Sequence, residues 1–305
     1  MKQKQLHTPV LLISYNRPEC TKKVLSVLRG VQPADIYMAC DGWKHKKDRK
    51  KCKEVRLLVN SIDWKCRVHT LFHKKNLGSR DSPYTAMKWF FRHEKMGIIL
   101  EDDIVPNETF FRFCEELLQK YEYDIHVGSI SGGNVIASDI SISGSYYFSR
   151  YSQTWGWATW KRTWKLYDIH MKRWPEMKGK HMVEKMFPNI WTRTYWTWIF
   201  NAVYRGEIPS AWDYQWTFMS WLHGLLTIMP TVNMIQNTGI GSKDATHTKY
   251  TNWMSSIPVK PMTFPLKHPK GKIINSALDT LLQRRMYVLW KELVMSIYRK
   301  LKYTV

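Results

Sequence analysis

The chain of 305 residues is 44% hydrophobic and 14% aromatic, which excludes a disordered polypeptide and allows one large domain, or one and a half, with a substantial core. Its 47 Lys and Arg against 25 Asp and Glu leave a net charge of +22, so a polyanionic partner is expected: nucleic acid, an anionic membrane surface or a phosphorylated substrate. Five cysteines, with no C-x-x-C pair and no zinc-like spacing to histidines, read as free thiols in a reducing compartment.

Met1 to His7 leads straight into a strand with no separate apolar segment, and no uninterrupted apolar run reaches the ~18 residues of a membrane span. A cytosolic protein is expected, lying on a membrane if it meets one. Pro9 to Ser14 reads as a buried first strand, followed by a helix opened by Pro18 and ended by Gly30 and Pro33. Ile36 to Cys40 is a second strand closed by Asp41-Gly42, with a helix through Val55 and Val59 behind it. Arg67 to Phe72 is a third, running through the loop Lys74 to Arg80 into a helix carrying Tyr84, Met87, Phe90 and Phe91. Strand and helix alternate four times with short connections, the pattern of a parallel, doubly wound sheet.

The fourth strand lies in Gly97 to Pro106, an aliphatic run too short for a helix, and it delivers Glu101, Asp102 and Asp103 to its C-terminal side. In open α/β sheets that edge is where ligands bind, and three adjacent carboxylates repel one another unless a cation or hydrogen-bond donors compensate them. Mg2+ or Mn2+ carrying a diphosphate suits such a cluster, since one or two carboxylates plus phosphate oxygens and water complete its shell. The alternative is that the acids serve the N-terminus of the helix opened by Asn107-Glu108-Thr109. That helix carries Phe110, Phe111, Phe113, Leu117, Leu118 and Tyr121 at core spacing, and Val127 to Ile130 forms a further strand. From Ser145 the chain becomes dense in aromatics, and again from Trp191 to Trp221.

Several motifs in this order resemble those of GT-A glycosyltransferases, most closely the N-acetylglucosaminyltransferase I-like group and its bacterial relatives. They are the first strand followed by Tyr15-Asn16-Arg17-Pro18, the Cys40-Asp41-Gly42 strand end, Leu100 to Pro106 followed by Phe110-Phe111, and Phe148-Ser149-Arg150-Tyr151 with Trp155-Gly156-Trp157. The match runs from about residue 8 to about residue 250. It implies a Rossmann-like GT-A fold, with a mostly parallel central sheet flanked by helices and an aromatic-rich acceptor half. Residues 1–250 would form the catalytic domain, 1–135 its nucleotide-sugar half and 136–250 its acceptor half; 251–305 would be a C-terminal extension.

The resemblance also implies a nucleotide-sugar donor, of the UDP-sugar kind, and a glycan or lipid-linked glycan acceptor. Carried over by position, Asp103 would bind the metal directly, and Glu101 and Asp102 would accept hydrogen bonds from ribose and sugar hydroxyls. Asp41 would face the base and Arg17 the diphosphate; their plainer readings are an Asp-Gly turn residue and a surface helix-start residue. Ala211 to Trp216 resembles the tryptophan-flanked acidic motif that supplies the catalytic base in inverting members. The family motif has two adjacent acids, whereas here Asp213 precedes Tyr214-Gln215, and Asp213 is the only acid between Glu207 and Asp244. The tryptophans around it are expected to raise its pKa. Asn237 to His247 has the composition of a lid: Lys243 could close over phosphates, and His247 could be a further metal or phosphate ligand or a satisfied surface residue. Trp155, Trp157 and Trp212 are expected to stack on sugar rings.

Two basic regions remain. Lys44 to Lys53 contains seven Lys or Arg. Ile274, Leu278, Leu282, Leu289, Leu293 and Ile297 form a helical stripe opposite Arg284, Lys291 and Lys302, which suits either docking on the domain or an anionic membrane interface. The expected reaction is metal-dependent glycosyl transfer in surface-polysaccharide assembly, in the cytoplasm and peripheral on the inner face of its membrane. Nucleotidyl transfer would require a two-metal carboxylate set, and only one acidic cluster is evident. A nucleic-acid-binding protein is disfavoured, because the aromatics are not interleaved with the basic run.

Overall fold

The computed structural model describes residues 5–239 and 253–287. Its centre is an eight-stranded sheet in which β1 (Val10–Ser14), β2 (Asp35–Cys40), β3 (Arg67–Phe72) and β4 (Met96–Glu101) run parallel, in the order β3-β2-β1-β4. The short strand β5 (Ile104–Pro106) lies outside this sheet, while β6 (Val127–Ser131), β7 (Tyr146–Ser149), β8 (Trp157–Trp160) and β9 (Leu226–Pro230) extend it as β4-β8-β6-β9-β7. Strand β8 is antiparallel to both neighbours and β7 is antiparallel to β9, whereas β6 and β9 are parallel. The architecture is therefore mixed α/β with a large, mostly parallel sheet flanked by helices.

Alternation along β1 and β4 shows why both faces are covered. Val10, Leu12, Ile98 and Leu100 pack on one face with α1 (Pro18–Val31) and α4 (Glu108–Lys120); between these helices in sequence lie α2 (Asp48–Leu57) and α3 (Gly78–His93). Leu11, Ile13 and Ile99 point to the other face, against Met87, Phe90 and Phe91 of α3. Strands buried on both faces read as continuous apolar runs, which is how they were recognisable. Helix α1 passes through Gly30 and ends only at Val31, where Gln32 takes up a left-handed conformation.

The second half adds three short helices, α5 (Lys161–Trp164), α6 (Trp174–Gly179) and α7 (Met182–Met186), then α8 (Ile190–Tyr204), α9 (Asp213–Leu222) and α10 (Ser276–Met286). Its tryptophans are structural. Trp174, Trp196, Phe200, Phe218 and Trp221 form one aromatic layer, and Trp157, Trp164 and Trp216 form another under α3. Of the C-terminal stripe, Leu278 and Leu282 dock on the first of these layers and Ile274 bridges to Phe148, so the described part of it serves the domain. Its continuation at Leu289, Leu293 and Ile297, with Lys291 and Lys302, lies outside the described residues. No described helix is long and apolar enough to cross a membrane, and all five cysteines are free thiols.

Candidate active site at the carboxyl edge of the sheet

The acidic run is where the fourth strand breaks. Strand β4 stops at Glu101, Asp102 and Asp103 make a turn, and Ile104–Pro106 leaves as β5 to pair antiparallel with β10 (Ile235–Asn237). Adjacent carboxylates cannot remain in a buried ladder without compensation, so the chain turns them out of it. The helix that follows is capped by Asn107, whose side chain accepts from the Phe110 N–H at 3.3 Å. With β5 in between, the triplet does not serve that helix, which removes the capping alternative.

Three segments converge on the turn. The loop after β1 places the Tyr15 N–H on Asp102 Oδ2 at 3.0 Å, and Arg17 Nη1 reaches Asp102 Oδ1 at 3.3 Å and also pairs with Asp103. From β10, the Thr238 N–H donates to the Asp103 carbonyl at 2.8 Å. Gly239 lies so close that an added Cβ would fall 2.1 Å from Asp103 Oδ2, so a side chain there would displace the carboxylate. Asp102 is buried and braces the β1 loop, whereas the Asp103 side chain keeps 16% of its surface open and is not sealed off.

The electrostatics follow from this crowding. Burial first, and then the neighbouring Asp103, Asp102 and Asp213 charges, hold the Glu101 carboxyl well above the usual carboxylate range. Asp102 is pushed up in the same way, by burial and then by Asp103, with Arg17 and the Tyr15 N–H opposing. Burial works against the Arg17 guanidinium, yet the Asp102 and Asp103 charges raise its pKa. The raised Glu101 and Asp102 values mark carboxyl groups crowded together in a buried turn, with Arg17 paired to two of the three acids. Among the described residues no three His, Cys, Asp or Glu side chains are gathered into a protein-only metal cage. The donor set nevertheless fits a hard divalent ion that arrives with a diphosphate, because such an ion needs only one or two carboxylates from the protein.

Asp213 stands exposed at the start of α9, with Oδ1 accepting from the Tyr214 N–H at 3.1 Å, and its charge is felt at Glu101. That influence ranks below burial and the Asp103 and Asp102 charges. The tryptophans beside it do not surround it. Trp212 and Trp216 are turned into the core, and Trp157 stacks on Trp212 with ring centres 5.9 Å apart. This corrects two expectations: Trp157 and Trp212 are packing residues rather than sugar platforms, and the carboxylate of Asp213 is not enclosed by indoles. Trp155 alone of the three is half-buried.

Asp41 is corrected as well. It is buried, and its two oxygens accept from the N–H groups of Gly42 (2.8 Å), Leu77 (2.9 Å) and Gly78 (3.0 Å) and from Asn76 Nδ2 (2.9 Å). Four donors saturate it, so it clasps the loop after β2 to the loop before α3 instead of facing a base. Gly42 belongs to the same clasp, since a Cβ there would meet the Lys75 carbonyl carbon at 2.3 Å. Lys243 and His247 lie outside the described residues.

Two further residues shape the edge without having been singled out from the sequence. Asp48, buried within the basic run, accepts from the Tyr15 hydroxyl (3.2 Å), Asn16 Nδ2 (3.2 Å) and the His45 N–H (3.1 Å). Burial opposes its charge, but these donors hold its pKa below the usual range. Asn76 is the other, tied to both Asp41 and the Gly42 carbonyl. The lone acid inside a lysine run was the available signal for Asp48, and the Asn-Leu-Gly loop before a helix was the signal for Asn76. Around Asp48 the side chains of Lys44, Lys46, Lys47, Arg49 and Lys50 are exposed, beside the same strand ends as the acidic turn.

No protein-family profile matches the chain, and no curated protein matches it. Among solved structures, the crystal structure of S. aureus TarS 1-349 aligns over 76% of this chain and 60% of its own length, at 10% identity and a TM-score of 0.42. HddC from Yersinia pseudotuberculosis aligns over 51% of this chain and 77% of its own, at 10% identity and a TM-score of 0.32. The 4-diphosphocytidyl-2C-methyl-D-erythritolsynthase of Anaerococcus prevotii aligns over 52% and 73%, at 10% identity and a TM-score of 0.34. The chain thus spans less than two thirds of the length of the first of these, and likeness at this level accompanies the α/β architecture without assigning an activity.

Proposed function

We propose that the chain is a glycosyltransferase that moves a sugar from a nucleoside diphosphate, of the UDP class, to a hydroxyl of a glycan or lipid-linked glycan. The observation that carries this reading is the compact acidic turn at the carboxyl edge of a mostly parallel sheet, where Arg17 pairs with Asp102 and Asp103 and the Asp103 side chain stays partly open. Kinship with the N-acetylglucosaminyltransferase I-like group, an inverting course and a role in surface-polysaccharide assembly are parts of the same proposal, as is the division at residues 135 and 250.

In this reading Asp103 holds a Mn2+ or Mg2+ ion, which when bound neutralises charge on the departing diphosphate as a Lewis acid. Arg17, already positioned over Asp102 and Asp103, turns to a phosphate oxygen and keeps its charge next to the leaving group. Glu101 accepts a sugar or ribose hydroxyl, and Asp102 keeps the β1 loop in place through the Tyr15 N–H. The bond from the anomeric carbon to the diphosphate breaks as the acceptor oxygen attacks from the opposite side, and Asp213 takes the hydroxyl proton. The exposed cations of the 44–53 run raise the local concentration of a polyanionic donor at this edge. Lys243 and His247 are retained as proposed phosphate and metal contacts.

A screen of nucleotide-sugar hydrolysis with Mn2+ tests the reading, together with thermal shifts by UDP plus Mn2+. Release of a nucleoside diphosphate supports it. Release of pyrophosphate from a nucleoside triphosphate would replace it with nucleotidyl transfer, and UDP stabilisation that persists in Asp103→Ala would contradict the metal assignment.

A further inference from the structure

Away from the acidic turn, the described residues line a cavity of about 780 Å³ between the 186–192 segment, the end of β7 and α10. That volume lies within the ~300–1,000 Å³ range of small-molecule sites. Its walls are Tyr151, Met186, Phe187, Trp191 and Tyr287, with polar side chains entering from below. Those polar groups are already satisfied by one another. Asp279 accepts from Ser149 Oγ (2.5 Å) and from the Arg150 N–H and Nε (both 3.2 Å), while Arg150 Nη1 donates to the Met186 carbonyl (2.9 Å). Gln283 Oε1 accepts from the Tyr151 hydroxyl and Trp196 Nε1 (both 2.8 Å), and its Nε2 donates to the Tyr287 carbonyl (2.7 Å).

A hydrocarbon entering here would leave every one of these bonds intact and lie along the apolar walls, with Asn189, Thr192, Ser276 and Thr280 as the further polar residues of the lining. The lining includes Trp191, which is 69% exposed, and the exposed cation of Arg284. An indole and a guanidinium lining an apolar space suit a ligand with a hydrocarbon body and an anionic end. The cavity is linked to the proposed base through two packed side chains. Tyr214, next to Asp213, packs edge-on to Trp196 at 6.3 Å, and the Trp196 indole bonds to Gln283 in the cavity floor.

We propose that this cavity receives the hydrocarbon chain of a lipid-linked acceptor, with Arg284 facing the phosphate at the head of that chain. The identification of the ligand as the acceptor rests on the transferase reading; the binding of an anionic isoprenoid does not.

The test uses the full chain and farnesyl monophosphate as probe, followed by calorimetry and tryptophan fluorescence. Saturable binding is expected, much tighter than for inorganic phosphate. Thr280→Trp, at an exposed wall position of α10, and Trp191→Ser should each weaken it by about tenfold or more, with thermal melts showing that both variants fold. Farnesyl monophosphate binding no tighter than inorganic phosphate, or equally tight in Thr280→Trp, overturns the assignment. Recovery of the protein on anionic vesicles without saturable binding of the probe also overturns it, in favour of a bilayer surface. Specific probe binding with no nucleotide-sugar turnover would keep the cavity and remove the transferase; turnover of a water-soluble acceptor with no probe binding would do the reverse.

Discussion

The two halves of this chain solve opposite problems with the same sheet. At the ends of β1, β2 and β4 the side chains are charged and tightly bound to backbone and side-chain donors: Asp41 accepts from three backbone N–H groups and Asn76, Asp48 from the Tyr15 hydroxyl, Asn16 and the His45 N–H, and Asp102 is held by Tyr15 and Arg17. Beyond β6 the chain fills its space with indoles, and Trp157, Trp174, Trp196 and Trp216 are almost fully buried. Charge in the first half is arranged around loops, whereas shape in the second is arranged around rings. Substitutions should therefore separate: those at the strand ends should cost activity, and those in the aromatic layers should cost stability.

The largest effect is expected at the acidic turn. Asp103→Ala should lower kcat/KM by on the order of 10³-fold or more and abolish the stabilisation by UDP plus Mn2+, with little change in the melting temperature of the free protein. Asp213→Asn should lower kcat by ~10² to 10⁴-fold while leaving UDP binding intact, because it removes proton transfer and not donor contacts. If both variants merely lowered the melting temperature, the contrast between the halves would fail.

Trp196→Ala should leave the acidic turn untouched but destabilise the fold by ~3–5 kcal/mol, measured by denaturant titration, because a fully buried ring and its bond to Gln283 are both lost. Asp41→Asn should fall between the classes. Replacing an acceptor-only oxygen by an NH2 among four donors costs ~1–3 kcal/mol, and the displaced 76–78 loop should also raise the donor KM.

The smallest effect is in pH. Glu101 has a pKa above the carboxylate range, by burial first and by its acidic neighbours second, so the folded chain binds a proton there more tightly than the unfolded chain. That contribution to stability is present at acid pH and fades as pH rises from the ordinary carboxylate range through the raised folded value. Melts compared between about pH 5 and about pH 9 should show the parent losing more stability than Glu101→Gln over this interval. Parallel pH profiles would mean that Glu101 is not strained by its surroundings.

The first half was largely legible in the sequence because its signals are local. Continuous apolar runs at residues 10–14, 36–40 and 98–100, each followed by a helical pattern, identify strands buried on both faces. The acids at 101–103 stand out through composition alone. What each of them touches was not legible. The four donors on Asp41 come from residues 42 and 76–78, and the partner of the Asp103 carbonyl is at 238; such pairings depend on which loops the sheet brings together.

The aromatic half was legible in composition and opaque in role. A tryptophan carries the same hydrophobic surface whether it stacks on a sugar or fills a core, so Trp157 and Trp212 could be distinguished from Trp155 only by burial. Sequence alone determined the apolar periodicity, the position of the acidic run and the excess of positive charge, because these are properties of neighbouring residues. Tertiary structure decided the antiparallel insertion of β8, the clasp at Asp41 and the pairing of Thr238 with the Asp103 carbonyl, because each joins segments far apart in the chain whose encounter no local pattern encodes.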